Sequence, residues 1–320
     1  MLYREQPMGP LASRPAATSS DAYEKWNSCS FLSCSILPVR MACNLKCPFC
    51  FSKSSISTLS RDQADWRRID LPGYFAFARD RGATRLVITG GGEPLLRPDD
   101  VVYLVSQGAR AFKEIACFTN GSYLNRHLAG RLADAGLSYL CYSRHADHDD
   151  VCKRLMGPSA PSLDEFFDAA AGLKVRATCV MAAGFIDSRQ SVRRYMRKLE
   201  CYGVTEFTFK HTYVAYDRSV FRNTAEDTWA RSRQIEYDPF DGEGEIIARL
   251  PWGPAIRKLE GAQVCYYREP TPDWELQNRI CRSTNLLSDG AVYASLEDQR
   301  SLLFRLSSSP PRSAKMKSKP

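Results

Sequence analysis

Cys43, Cys47 and Cys50 stand in the run Cys-Asn-Leu-Lys-Cys-Pro-Phe-Cys, which places three thiols on one short loop. Thiolates at this spacing can reach three irons of a cubane cluster and leave the fourth without a protein ligand, whereas ordinary electron carriers of that type use four thiolates. An open iron can take a small chelating ligand, which points to chemistry rather than electron storage. Pro48 limits the backbone freedom lost when the loop wraps. On the triad alone, a zinc site short of its fourth donor is the competing account. Further on, Thr89-Gly90-Gly91-Gly92-Glu93-Pro94 follows the apolar run Leu86-Val87-Ile88. Bare glycine backbone permits close approach, and one carboxylate can receive an ammonium group; a tight structural turn is the alternative.

The two motifs together resemble those of the radical S-adenosylmethionine (SAM) superfamily, whose Cys-x3-Cys-x-aromatic-Cys loop and Gly-Gly-Glu-Pro turn are matched residue by residue. The resemblance implies one [4Fe–4S] cluster on Cys43, Cys47 and Cys50. It further implies S-adenosylmethionine as cofactor, with Gly91, Gly92 and Glu93 at its methionine end and Phe49 either near its adenine or packed beneath the cluster. A flavodoxin- or ferredoxin-like donor would deliver one electron, and the 5′-deoxyadenosyl radical released from SAM would abstract a substrate hydrogen. The expected substrate is a small polar metabolite of nucleoside, nucleotide or sugar type. Modification of RNA or of a peptide is a second reading, and a non-catalytic iron–sulfur or zinc module a third.

These residues need a scaffold, and the apolar patterning supplies one. Strand-like runs at Phe31 to Val39, Leu86 to Thr89, Ile115 to Thr119, Tyr139 to Ser143, Val175 to Met181 and Glu206 to Phe209 alternate with stretches of helical length and period. The helical stretches are Asp99 to Phe112, Leu124 to Ala135, Leu163 to Gly172 and Ser191 to Tyr202. Alternation of this kind predicts an α/β fold of parallel strands, and the resemblance implies a partial (β/α)6 barrel over residues 23–212. Sites of such barrels lie at the C-terminal ends of the strands. Thr119 and Asn120 after the third strand, and Ser143 and Arg144 after the fourth, are therefore candidate cofactor contacts, though such residues are often turn formers or helix caps. Arg176 and Thr178 share one strand face, whereas Lys210 and His211 point to opposite faces, so one of that pair belongs in the cavity. A cation there suits a phosphate or carboxylate on the substrate. His145 and His148, among acidic neighbours, read as a solvated loop.

Residues 213–305 read as a small α+β appendage capping the barrel, with helical stretches at Thr224 to Ile235 and Gly244 to Glu260 and a hairpin at Asp289-Gly290. The run from Asn278 to Ser295 resembles the appendage of the GTP-cyclising radical SAM enzymes of molybdopterin biosynthesis, where three cysteines hold a second cluster. Here only Cys281 matches, with Asn278 and Ser295 at the other two places, which argues against that cluster and against GTP cyclisation. Cys281 is then either a buried thiol or a hydrogen donor lining the cavity, and Cys265 is a second thiol in the same segment.

Composition sets the outer bounds. The chain has 320 residues, 44% of them apolar, enough for one barrel-sized domain. No stretch approaches the length of a bilayer span and the start lacks a secretory pattern, so the expected location is cytoplasmic, where the 12 cysteines stay reduced. The net charge is +8, but Arg312, Lys315, Lys317 and Lys319 hold half of that surplus in a Ser/Pro-rich tail over 306–320. That distribution speaks against a nucleic-acid face on the folded part. Residues 1 to about 22 are rich in Pro, Ala and Ser and read as a disordered lead.

Overall fold

A computed structural model of the chain describes residues 20–217 and 219–306. Its centre is six strands in sequential order: β1 (Cys34–Ile36), β2 (Leu86–Ile88), β3 (Ile115–Thr119), β4 (Tyr139–Ser143), β5 (Val175–Met181) and β6 (Glu206–His211). Each is parallel to the next. The first expected strand is interrupted: Ser30–Phe31 pairs separately with Ile280–Cys281 before β1 begins. Among the described residues seven α-helices precede or link these strands: α1 (Ser20–Asn27), α2 (Leu71–Asp80), α3 (Pro98–Gly108), α4 (Arg126–Asp134), α5 (Asp149–Met156), α6 (Leu163–Ala169) and α7 (Arg189–Glu200). The sequence of α7 shows why such a helix forms and where it packs. Ser188 caps its start with Ser191 reciprocating, and Val192, Tyr195, Met196 and Leu199 recur at three and four residues as its buried face.

Strand alternation then sorts side chains between the helix-facing core and the barrel interior. On β4, Leu140 and Tyr142 join the core, and Tyr142 stacks on Phe166 of α6 at 3.5 Å. Cys141 and Ser143 of the same strand face the interior cavity.

The C-terminal segment extends this sheet at both edges. β7 (Glu245–Arg249) and β8 (Ala255–Leu259) form an antiparallel pair, β8 pairs with β9 (Ala262–Tyr267), and β9 lies parallel to β6. At the other edge β10 (Thr284–Leu286) lies parallel to β1 and leads through the Asp289-Gly290 turn to β11 (Ala291–Tyr293) and β12 (Leu302–Arg305). Among the described residues the sheet has 12 strands, parallel from β10 through β1 to β6 and β9. The helix expected over Gly244 to Glu260 is not there. Pro251, Gly253 and Pro254 turn the chain instead, with Gly253 at φ +116°. Pro lacks the N–H a helix needs, so that signal was present in the sequence. The helix expected from Thr224 forms as α8 (Ala225–Arg231), and α9 (Pro272–Asn278) precedes Cys281. Helix α1 starts inside the expected lead, and residues 1–19 and the basic tail from 307 onward lie outside the described residues. No helix among the described residues is long and apolar enough to cross a membrane.

Candidate active site

The loop after β1 carries the three cysteines and rests on the end of α5. The Lys46 N–H donates to the Met156 carbonyl at 2.7 Å, and Leu45 packs with Ala146, Cys152 and Met156. Beside it lies the glycine turn. A Cβ on Gly91 would stand 2.2 Å from the Val39 carbonyl oxygen, and one on Gly92 1.7 Å from that of Ala42. Gly91 also has φ +81°, which side chains other than glycine resist. These glycines are thus needed where backbone meets backbone, because the turn lies directly on the cysteine loop. Ligand approach is a second reason only at Gly92, which lines the cavity while Gly91 does not.

Glu93 completes the junction. Its N–H donates to Ala42, and its buried carboxylate accepts from the Thr119 hydroxyl at 2.7 Å, the Asn120 N–H at 2.8 Å and the Leu95 N–H at 3.0 Å. Burial raises its pKa and the three donors oppose that rise. The Asn120 side-chain amide reaches Asn44 at 3.0 Å and lies 3.8 Å from Cys43 Sγ.

A cavity of about 520 Å³ opens beside this junction. Cys43, Cys47, Cys50, Phe49, Gly92, Glu93, Thr119, Asn120, Ser143 and Lys210 all line it, as do Arg176 and Thr178. Burial, and then the neighbouring Cys50 and Cys43 thiols, push Cys47 upward, so the three thiols stand within electrostatic reach of one another. Among the described residues no three His, Cys, Asp or Glu side chains are grouped as a single metal ion requires. A cubane takes one thiolate per iron and asks less convergence than tetrahedral zinc. Three thiols that share one loop and line one cavity are the donor set that would hold a [4Fe–4S] cluster, on Cys43, Cys47 and Cys50.

Besides Gly91, three expected site residues lie off the cavity. Arg144 is fully buried outside the cavity: it follows inward-facing Ser143, so alternation turns it away, where it binds Asp149 at 2.6 Å and the Ala146 carbonyl at 3.0 Å. On β6, Lys210 faces the cavity and His211 does not; the His211 ring lies 6.3 Å from Tyr266, and burial lowers its pKa to about 4. Cys281 is fully buried beside Cys29, next to its strand partner Phe31, which removes it as a hydrogen donor on the cavity wall. Cys265 and Cys141 are thiols that do line the cavity.

Three cavity residues were not anticipated. His145 is buried, not solvated, with its ring edge-on to Phe49 at 4.7 Å and its Nδ1 accepting from the Val180 N–H at 2.9 Å. Burial, then the Lys210 and Arg144 charges, hold it neutral with a pKa of about 3. Its place just past a strand end was the available signal. Glu269 and Arg282 reach the wall from the C-terminal segment, and no local motif marks them.

Residues 38–199 match the family description "Radical SAM superfamily". A GTP 3′,8-cyclase of Campylobacter curvus is 31% identical over 160 residues, 47% of this chain and 47% of that protein. A pre-heme d1 synthase of Dinoroseobacter shibae is 32% identical over 106 residues, 31% of this chain and 23% of that protein. The chain spans about half the length of the GTP cyclases it matches. Among solved structures, Streptococcus suis SuiB bound to the precursor peptide SuiA covers 87% of this chain and 62% of its own, at TM-score 0.55 and 17% identity, a likeness of fold.

Proposed function

The chain belongs to the radical SAM superfamily, and from that premise we propose that it cleaves S-adenosylmethionine reductively and abstracts a hydrogen from a small polar metabolite of nucleotide or sugar type. The observation that carries this reading is the convergence of Cys43, Cys47, Cys50, Gly92, Glu93 and Lys210 on one cavity of about 520 Å³, within the size range of ligand sites. When bound, the cluster and S-adenosylmethionine supply the radical that takes the hydrogen. The chain's own residues bind, orient and exclude water. Glu93, Thr119 and Asn120 hold the glycine turn against the cysteine loop, so the cofactor's two contact surfaces move as one body. Phe49 and neutral His145 form a buried edge-to-face pair on the cavity wall beside the cysteines. Lys210 supplies positive charge near the end of β6. The GTP cyclases among the relatives support a nucleotide-type substrate. An external one-electron donor of flavodoxin or ferredoxin type completes the proposal.

The test is anaerobic reconstitution with iron and sulfide, then incubation with S-adenosylmethionine, dithionite and a panel of nucleotides and sugar phosphates. Mass spectrometry should find 5′-deoxyadenosine and one altered metabolite. Protein that binds zinc without labile sulfide and forms no 5′-deoxyadenosine would sink the proposal.

A further inference from the structure

The β6–β9 side of the cavity carries a charge cluster that the cofactor does not explain. Lys210 at the end of β6 and Arg282 after α9 both line the cavity, and both pair with Glu269, Lys210 at 2.7 Å. Glu297 lies behind the wall, 4% exposed and 3.6 Å from Arg282. Aromatic faces support the cations: Tyr267 lies 5.2 Å from Lys210 Nζ, and Phe51 lies 5.2 Å from the Arg282 guanidinium carbon. Arg282 Nη2 is buried and makes no hydrogen bond, its one ion pair being the 3.6 Å approach to Glu297. Gathering two buried acids with two part-buried cations gives a fold little stability that apolar packing would not, and charge networks beside a cleft are candidates for function.

The wall itself presents two cations against one carboxylate, because the second acid stands behind it. We propose that Lys210 and Arg282 form the anchor for an oxyanion group of the substrate, a carboxylate or a phosphate, with Glu269 as the internal carboxylate that this group displaces. The proposal rests on the reading that this cavity holds the substrate. The guanidinium fork matches either oxyanion and Lys210 adds a point charge. Phe51, which carries Arg282, directly follows Cys50, so the anchor holds one end of the substrate beside the cysteine loop. Glu297, raised to about 7 chiefly by burial, can offset the incoming charge by taking up a proton.

The experiment is calorimetric titration of the reconstituted holoprotein with inorganic phosphate and, separately, with acetate as probes. Wild-type protein should bind at least one, and the tighter of the two identifies the class of group. Lys210→Met and Arg282→Met should each weaken that binding about tenfold or more, the scale of a lost charged hydrogen bond. Glu269→Gln should tighten it, since removing the competing carboxylate frees both cations. A merely structural quartet would not give opposite signs, and the Glu269→Gln arm remains decisive if a cation variant fails to fold. Failure of wild type to bind either probe, or weaker binding by Glu269→Gln, would overturn the anchor. Iron content and 5′-deoxyadenosine are measured on the same preparations: loss of those with intact anion binding counts against the proposed function and not against the anchor.

Discussion

The Thr119 hydroxyl donates a 2.7 Å hydrogen bond to Glu93 Oε1, joining the end of β3 to the glycine turn. The same carboxylate takes the Asn120 N–H, and the Asn120 side chain reaches the cysteine loop. One buried acid thereby holds three segments in register. Glu93→Gln must set an NH2 group against one of these donors, so it should lower stability by about 1–3 kcal/mol. Urea unfolding of the variant checks this; an unchanged midpoint would mean that the junction adds nothing to the fold.

Replacing Gly92 by Val should disturb iron incorporation as well as cofactor affinity. The added Cβ meets the Ala42 backbone of the cysteine loop before it meets any ligand. Iron analysis beside a SAM titration distinguishes the two effects. Full iron content with weakened binding would show that only the ligand feels the glycine.

Changing Cys43, Cys47 and Cys50 together to Ala should leave almost no iron after anaerobic reconstitution, because no second set of three cysteines shares a loop. A retained cubane signal in the electron paramagnetic resonance spectrum of reduced protein would require ligands from Cys141, Cys265 or elsewhere.

Cys281→Ala should leave the product unchanged and cost on the order of 1 kcal/mol, the usual effect of removing a small buried group. Its burial beside Cys29, away from the cavity, is the reason. Product analysis checks it: SAM cleavage without normal product would return Cys281 to the chemistry.

Anion binding at Lys210 should weaken as pH rises through about 7. Burial first, then the Arg282 charge, lower Lys210 to about 7, with Glu297 and Cys141 opposing. Glu269 and Tyr267 are its immediate neighbours, and Glu297 titrates near the same pH. Loss of the Lys210 proton and loss of the Glu297 proton both make the wall less positive, so their effects add. The sign for stability from Lys210 alone is opposite: the unfolded lysine keeps its proton to about 10.4, so the unfolded state binds more protons above about 7 and Lys210 contributes rising stability there. Titration with sulfate, which keeps its charge in this range, should show the affinity falling between about pH 6 and pH 8, less steeply in Lys210→Met.

The sequence by itself determined the three-cysteine loop, because a set of thiols on one short segment is a local property that spacing reveals. It also determined the six central strands, whose period of two against the helical period survives any arrangement of neighbours, and the hairpin at Asp289-Gly290, whose turn chemistry is local. It carried the Pro251 to Pro254 break as well, where proline should have outweighed a run that reads as helix. Only the tertiary structure decided which strand-end residues face the cavity: a one-residue difference in register separates Ser143 from Arg144 and Lys210 from His211. It alone joined Glu93 to Thr119, and Lys210 to Glu269 and Arg282, since those partners come from separate strands and loops brought together only when the chain folds. It also put Cys281 beside Cys29 through a two-residue pairing too short to leave a pattern. Contacts of that kind depend on which edges of the sheet the C-terminal strands join, and nothing within either segment encodes that choice.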